Sequence, residues 1–486
     1  MITQLNNDMK MKNYKELNEY LRGDTNHTPG TSHPKTHNSY HTPQTPDPIP
    51  QDGFFSKIFK GDKVIWSVFI ALCVISLVEV FSATSTIVYR QQNHWGPILR
   101  HATFLLGGIG VILFIHNIPY RYFSSLIFVL LGSIVLLLLT PYLGTTVNGA
   151  ERWISIMGIT IQPSEIAKIS LMGTVAFLLS KQNRMNEHTL FKWMIGLMTV
   201  VCLIIAMDNL STAMLLFIVC YVLMFIGNVK FMRLAKVALI GVGVLVFAIL
   251  FLKIIPTSWT ESGPLSRAST WQARIDRFGN SPDKDEASYY QITDENYQVA
   301  HSKIAIANGG VFGKFPGNSK ERDFLPQAYS DFIYSIILEE LGLVGGIFVL
   351  LLYIIILWRS GIIARKTEKL FPKYLIIGSA LMLSMQAFVN MAVAVHLIPV
   401  TGQPLPLISR GGTSTLITCA YFGIILSADR FGIGKKRVTP LQEIAVMNID
   451  SYQEVDADAN DNEDDVKQSV INEDYADEID FEVVNA

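Results

Sequence analysis

The sequence predicts an all-α polytopic membrane protein of about ten transmembrane helices, with a large extracytoplasmic loop between the seventh and eighth. Three observations carry this. Half of the residues are hydrophobic. They gather into runs of roughly twenty, the length a helix needs to cross about 30 Å of hydrocarbon. Lys and Arg concentrate on alternate connections, the bias that orients membrane helices.

Residues 1–56 are polar and Pro-rich, as in Thr42-Pro43-Gln44-Thr45-Pro46-Asp47-Pro48, and read as a disordered cytoplasmic arm. His27, His33, His37 and His41 lie there, where solvated disorder and a metal-binding tract are both open readings. The core, 57–432, has apolar spans at about 64–83, 97–116, 123–140, 164–180, 189–206, 211–227, 233–255, 331–357, 374–398 and 409–428. No small-residue cleavage site accompanies the first span, which makes it a retained signal-anchor. Lys57, Lys60 and Lys63 precede it. Taken as running outward, it leaves Arg121, then Lys181, Arg184 and Lys192, then Lys230, Arg233 and Lys236, then Arg359, Arg365, Lys366, Lys369 and Lys373 on inward connections. Arg430, Lys435, Lys436 and Arg437 follow the last span. Both termini are therefore expected to be cytoplasmic, and the 256–330 loop outside. In that loop Trp271 to Phe278 and Tyr297 to Ile304 can each form an amphipathic helix at the membrane interface. Residues 433–486 form an acidic tail expected to be disordered, with Val470, Ile471, Ile479, Phe481 and Val483 as a short partner motif. Cys73, Cys202, Cys220 and Cys419 lie within spans and read as packing residues. No nucleic-acid module is visible.

Polarity inside such a core marks the candidate site. Asp331 stands at the mouth of the eighth span, before Phe332-Ile333-Tyr334. Helix capping is the first reading of such a position. An ionised acid meeting lipid-linked polar substrates is the second. Glu165 and Lys168 are three residues apart and share a helix face, either as a packing ion pair or as part of a polar cavity. Asp208-Asn209-Leu210-Ser211-Thr212 reads as a capped turn, Glu339-Glu340 as packing support, and Trp153 as an interfacial anchor. From Pro399 to Ser414 prolines and paired glycines break the backbone, which within a membrane requires cover by protein or a wet cavity. There Arg410 can hold a phosphate or snorkel to the headgroups.

Together these residues resemble the shape, elongation, division and sporulation family. The resemblance is carried by Gly-x-x-Arg-Trp-Ile and Gln-Pro-Ser-Glu-x-x-Lys within 149–168, Ile306 to Lys314, Gly317-Asn318-Ser319, Leu325-Pro326-x-Ala328-x-x-Asp331-Phe332, Glu339-Glu340-Leu341-Gly342 and the Ser-x-Gly-Gly-Thr-Ser run ending at Ser414. It spans the membrane core, with the division branch nearer than the elongation branch.

The resemblance implies a peptidoglycan glycosyltransferase that polymerises lipid II at the outer face of the bacterial cytoplasmic membrane, at the septum. Asp331 would be the catalytic acid, with Lys168 and Glu165 beside it. The residues contacting substrate would be Arg152, Arg410, Ser409, Gly411, Gly412, Lys314 and Asp323. The pyrophosphate leaving group would be neutralised by Arg152, Lys168, Arg410 or a divalent cation. Implied partners are a class B penicillin-binding protein, packed against the eighth and ninth spans, other septal proteins and membrane lipids. A lipid II flippase and a non-catalytic division scaffold are the competing classes. Departures from the family pattern are Gln327 in place of an acid, Asn209 in place of an acid, and Arg410 in place of an uncharged residue.

Overall fold

Short polar caps and long apolar runs set where each helix begins and ends. The computed structural model describes residues 59–83, 96–147, 150–156, 159–254, 292–293, 296–325 and 328–432. The two tails, the candidate helix from Trp271 to Phe278 and most of the large loop lie outside the described residues. The helices are α1 (Lys63–Ala83), α2 (Gly96–Ile115), α3 (Leu126–Leu143, after a 3-10 turn Tyr120–Ser125), α4 (Pro163–Ser180), α5 (Glu187–Asp208), α6 (Leu210–Ile226) and α7 (Phe231–Ile254). After the loop come α8 (Tyr297–Gly309), α9 (Ile333–Lys366), α10 (Leu370–Ala394) and α11 (Thr413–Gly432).

Each of the ten expected spans meets one of these helices. Seven of the helical segments are long and apolar enough to cross a membrane. The remaining three, α4, α6 and α11, are shorter or more polar. Burial explains the difference for α4 and α11. Both are enclosed by neighbours along most of their length, so their polar side chains meet protein rather than lipid. By contrast α7 is exposed along nearly all of its surface, and only apolar residues fill its middle.

Local chemistry accounts for the boundaries. Asp62 Oδ1 accepts from the backbone N–H of Val64 at 3.0 Å and Ile65 at 3.1 Å, capping α1. Its Oδ2 receives Arg359 Nη2 from α9 at 2.6 Å. Asn209 accepts from Thr212 N–H at 3.2 Å, so the expected capped turn is present between α5 and α6. Pro163 sits in the first turn of α4, where its missing N–H costs nothing.

One addition to the all-α expectation is a small antiparallel sheet between α3 and α4. Its strands are β1 (Thr145–Val147), β2 (Ala150–Ile156) and β3 (Ile159–Ile161), in the order β1-β2-β3. Ile154 pairs with Ile161 and Ser155 with Thr160. The β-branched residues of this stretch favour a pleated surface, a local preference that a search for spans overlooks.

The expected helix from Tyr297 is present and runs on to Gly309. It buries His301, Ser302 and Ala305. Ser302 Oγ lies 2.6 Å from Ser335 Oγ on α9 and donates to Ala394 O of α10 at 2.7 Å. Its inner face is therefore occupied by protein rather than turned to headgroups.

Glu79 on α1 is fully enclosed, both its carboxylate oxygens lack a partner, and it lies within electrostatic range of Glu340. A buried polar group without partners is destabilising. Glu79→Met should therefore raise the melting temperature of the purified protein, and a lower value would show that the carboxylate has a necessary role.

Candidate functional site

Helical periodicity brings Glu165 and Lys168 together on one face of α4, and burial makes the pair unusual. Lys168 Nζ stands 2.7 Å from Glu165 Oε1, with the lysine side chain 0% exposed and the glutamate 12%. Lys168 also donates to Gln386 Oε1 of α10 at 3.2 Å. Gln386 Nε2 passes the connection to Pro404 O at 3.0 Å. One turn further along α10, Asn390 Nδ2 donates to Asp331 O at 2.9 Å and to Gln403 O at 2.8 Å. Gln403 Nε2 in turn donates to Thr212 Oγ1 of α6 at 2.6 Å. Lys168, Asp331 and the 403–404 backbone thus belong to one hydrogen-bonded frame.

Asp331 is half-buried, just ahead of α9. The capping reading of this position is corrected: the N-cap falls on Phe332, which makes no side-chain capping bond. Phe332 is instead buried with Leu325, Ala328 and Ile336, and this apolar anchor leaves the acid outside the helix. Ser330 Oγ donates to Asp331 Oδ1 at 2.9 Å. The other oxygen faces Gly402, where an added Cβ would stand 3.5 Å from Oδ2 and φ is +66°. Glycine thus serves the backbone turn, and its open side lies toward the carboxylate.

The segment ahead of α11 closes over the acid. Ser409 Oγ donates to Ser330 O at 2.6 Å and accepts from Leu405 N–H at 2.7 Å. Arg410 N–H donates to Tyr329 O at 2.9 Å, and the guanidinium lies 5.3 Å from the centre of the Tyr329 ring. Arg410 and Arg100 lie within electrostatic range of each other, and two such cations, one of them half-buried, favour an anion. Gly411 and Gly412 lead into α11, where Thr413 Oγ1 donates to Thr160 O of β3 at 2.7 Å.

Other members of the expected set are placed differently. Lys314 Nζ lies 3.4 Å from Glu339 Oε1, and its N–H donates to Glu339 O at 3.0 Å. The Glu339 carboxylate also receives Lys320 N–H and Glu321 N–H, each at 3.2 Å, and the Ser319 hydroxyl. Glu340 receives Ser82 Oγ and Ser319 N–H. The two acids therefore staple the 314–321 loop to α9, as packing support predicted, and Lys314 is part of that staple. Asp323 is exposed, with Arg322 Nε 3.9 Å away. Arg152 lies on β2, and its side chain is outside the described residues.

A break in α9 makes room for the staple. Gly342 has φ +70°, and a Cβ there would stand 2.4 Å from Gly313 N and Val311 O. Gly342→Ala should cost about 1–3 kcal/mol through strain at this φ. Melting and limited proteolysis of the loop are the measurements, and an unchanged loop would contradict the close approach.

Among the described residues no group of three or more His, Cys, Asp or Glu side chains converges as a metal-ligand set. The expected divalent cation therefore finds no such set among the described residues. Sequence reasoning missed Gln386, Asn390, Gln403 and Thr212. The available signal was two amides one helical turn apart inside an apolar span.

The sequence profile of a family described as "Cell cycle protein", covering FtsW, RodA and SpoVE, matches residues 62–432. A protein of Geobacter sulfurreducens named probable peptidoglycan glycosyltransferase FtsW is 29% identical over 379 residues, covering 76% of this chain and 95% of that protein. The Haemophilus influenzae protein of the same name is 31% identical over 394 residues, covering 78% and 93%. Among solved structures, a chain from work on polymerization and crosslinking by a peptidoglycan synthase complex superposes with a TM-score of 0.59. It is 22% identical, with 77% of this chain and 99% of that chain covered, a likeness of fold.

Proposed function

The chain belongs to the FtsW, RodA and SpoVE family of multi-pass membrane proteins, and we propose that it is a peptidoglycan glycosyltransferase polymerising lipid II into glycan strands. The reaction takes place at the outer face of the cytoplasmic membrane, during septal wall synthesis, with both termini cytoplasmic. The observation that carries the reading is the half-buried Asp331, held in one hydrogen-bonded frame with the enclosed Glu165–Lys168 pair.

In this transfer the 4-hydroxyl of the acceptor sugar attacks the anomeric carbon of the donor, and polyprenyl pyrophosphate departs. Asp331 is the general base that takes the hydroxyl proton. Its Oδ1 is oriented by Ser330, and its Oδ2 lies on the side of Gly402. Arg410 meets the negative charge that grows on the leaving group, Arg100 adding to the local positive potential. Arg152, on β2, is the further cation of this set.

Lys168 is fully enclosed, so its role is to balance Glu165 and hold Gln386 rather than to touch substrate. Ser409, Gly411 and Gly412 shape the wall beside the acid, while Lys314 and Asp323 belong to the loop that borders it.

The partner is a class B penicillin-binding protein that cross-links the new strands, joined by other septal proteins. The test is purified protein with that partner and labelled lipid II. Strands that depend on Asp331 support the proposal, and lipid movement without strands overturns it in favour of a flippase.

A further inference from the structure

We propose that Asn390 is a positioning residue, whose single amide nitrogen sets where the Asp331 carboxylate stands; the inference rests on Asp331 as general base. Asn390 is 1% exposed, and its Nδ2 donates both to Asp331 O at 2.9 Å and to Gln403 O at 2.8 Å. Both targets are carbonyls that only accept, so the NH2 end of the side chain must face them. Its Oδ1 is left buried without a partner. An unpaired buried carbonyl is costly. The orientation is thus held against that cost by the two bonds on the nitrogen.

One clamped carbonyl is Asp331's own, and the other belongs to Gln403, next to Gly402, the glycine whose open side lies toward Asp331 Oδ2. The same nitrogen therefore ties together the backbone at 331 and at 403. Other bonds hold the residues before the acid: Ser409 Oγ to Ser330 O at 2.6 Å and Arg410 N–H to Tyr329 O at 2.9 Å. Remove the amide and the chain stays pinned at 329–330 but loses the bond to the Asp331 carbonyl. The Ser330 hydroxyl still reaches Oδ1, while the backbone that carries the acid is no longer tied to residue 403.

A misplacement of about 1 Å can cost about 10²-fold in rate, because the base must meet its proton at hydrogen-bond distance. Substrate binding, which draws on Arg410 and the walls of the site, does not require this tie. The signature is therefore in kcat rather than KM.

The test uses the full chain with its class B transpeptidase partner and labelled lipid II, comparing Asn390→Ala, Asn390→Asp and Asp331→Asn with the unaltered protein. Asn390→Asp keeps the shape but turns a donor pair into acceptors facing two carbonyls. Both Asn390 variants are expected to lower kcat about 10²-fold with KM for lipid II unchanged. Normal kcat in both, alongside an inactive Asp331→Asn, would overturn the positioning role and leave the general base standing. An active Asp331→Asn would remove the general base itself. Loss of folding in both Asn390 variants, read by melting, would make the residue structural and also overturn the proposal.

Discussion

Asp331→Asn should lower glycan-strand formation by about 10²–10⁴-fold, the usual contribution of a general base, while the protein stays folded. The amide matches the carboxylate in size and keeps an oxygen for the Ser330 hydroxyl 2.9 Å away, so the surrounding frame has no reason to collapse. It cannot accept the acceptor sugar's proton at any useful rate. Asp323→Asn is the matched control, because that acid is exposed on the loop, with Arg322 Nε 3.9 Å away. The expected result is loss in the first variant and near-normal strands in the second, read by gel separation of products from labelled lipid II.

The second large effect is on stability. Lys168→Met leaves Glu165 only 12% exposed and without its 2.7 Å partner. Breaking a buried pair from one side costs about 3–5 kcal/mol, since the remaining charge is stranded. Gln386 would also lose the donor at its Oε1. The double variant Glu165→Gln with Lys168→Met should recover most of the lost stability, because no charge remains to be stranded. Thermal unfolding of the two variants beside the unaltered protein checks this. A single variant that melts like the unaltered protein would show that the pair carries little of the packing between α4 and α10.

Much of this was legible in the sequence because it is local. Spans follow from runs of apolar residues, and all ten expected spans meet a helix. The ion pair follows from the three-residue spacing of Glu165 and Lys168. The cap at Asn209 follows from its side chain before an apolar run. What stayed hidden depends on residues distant in the chain. Nothing near Lys314 in sequence announces Glu339, its partner across the loop. Nor does the tenth helix by itself announce that Gln386 and Asn390 meet the 403–404 backbone. The cap at Asp331 failed for a related reason, since burial of Phe332 sets where α9 begins. The β strands were missed because short β-branched runs carry little signal beside a long span.

In the proposed mechanism an acid just outside α9 drives sugar transfer. Proteoliposomes holding the protein and its transpeptidase partner, supplied with labelled lipid II, allow strand length and transbilayer lipid movement to be followed in the same vesicles. Strands from the unaltered protein and none from Asp331→Asn are predicted. Equal strand synthesis by the two proteins would contradict it.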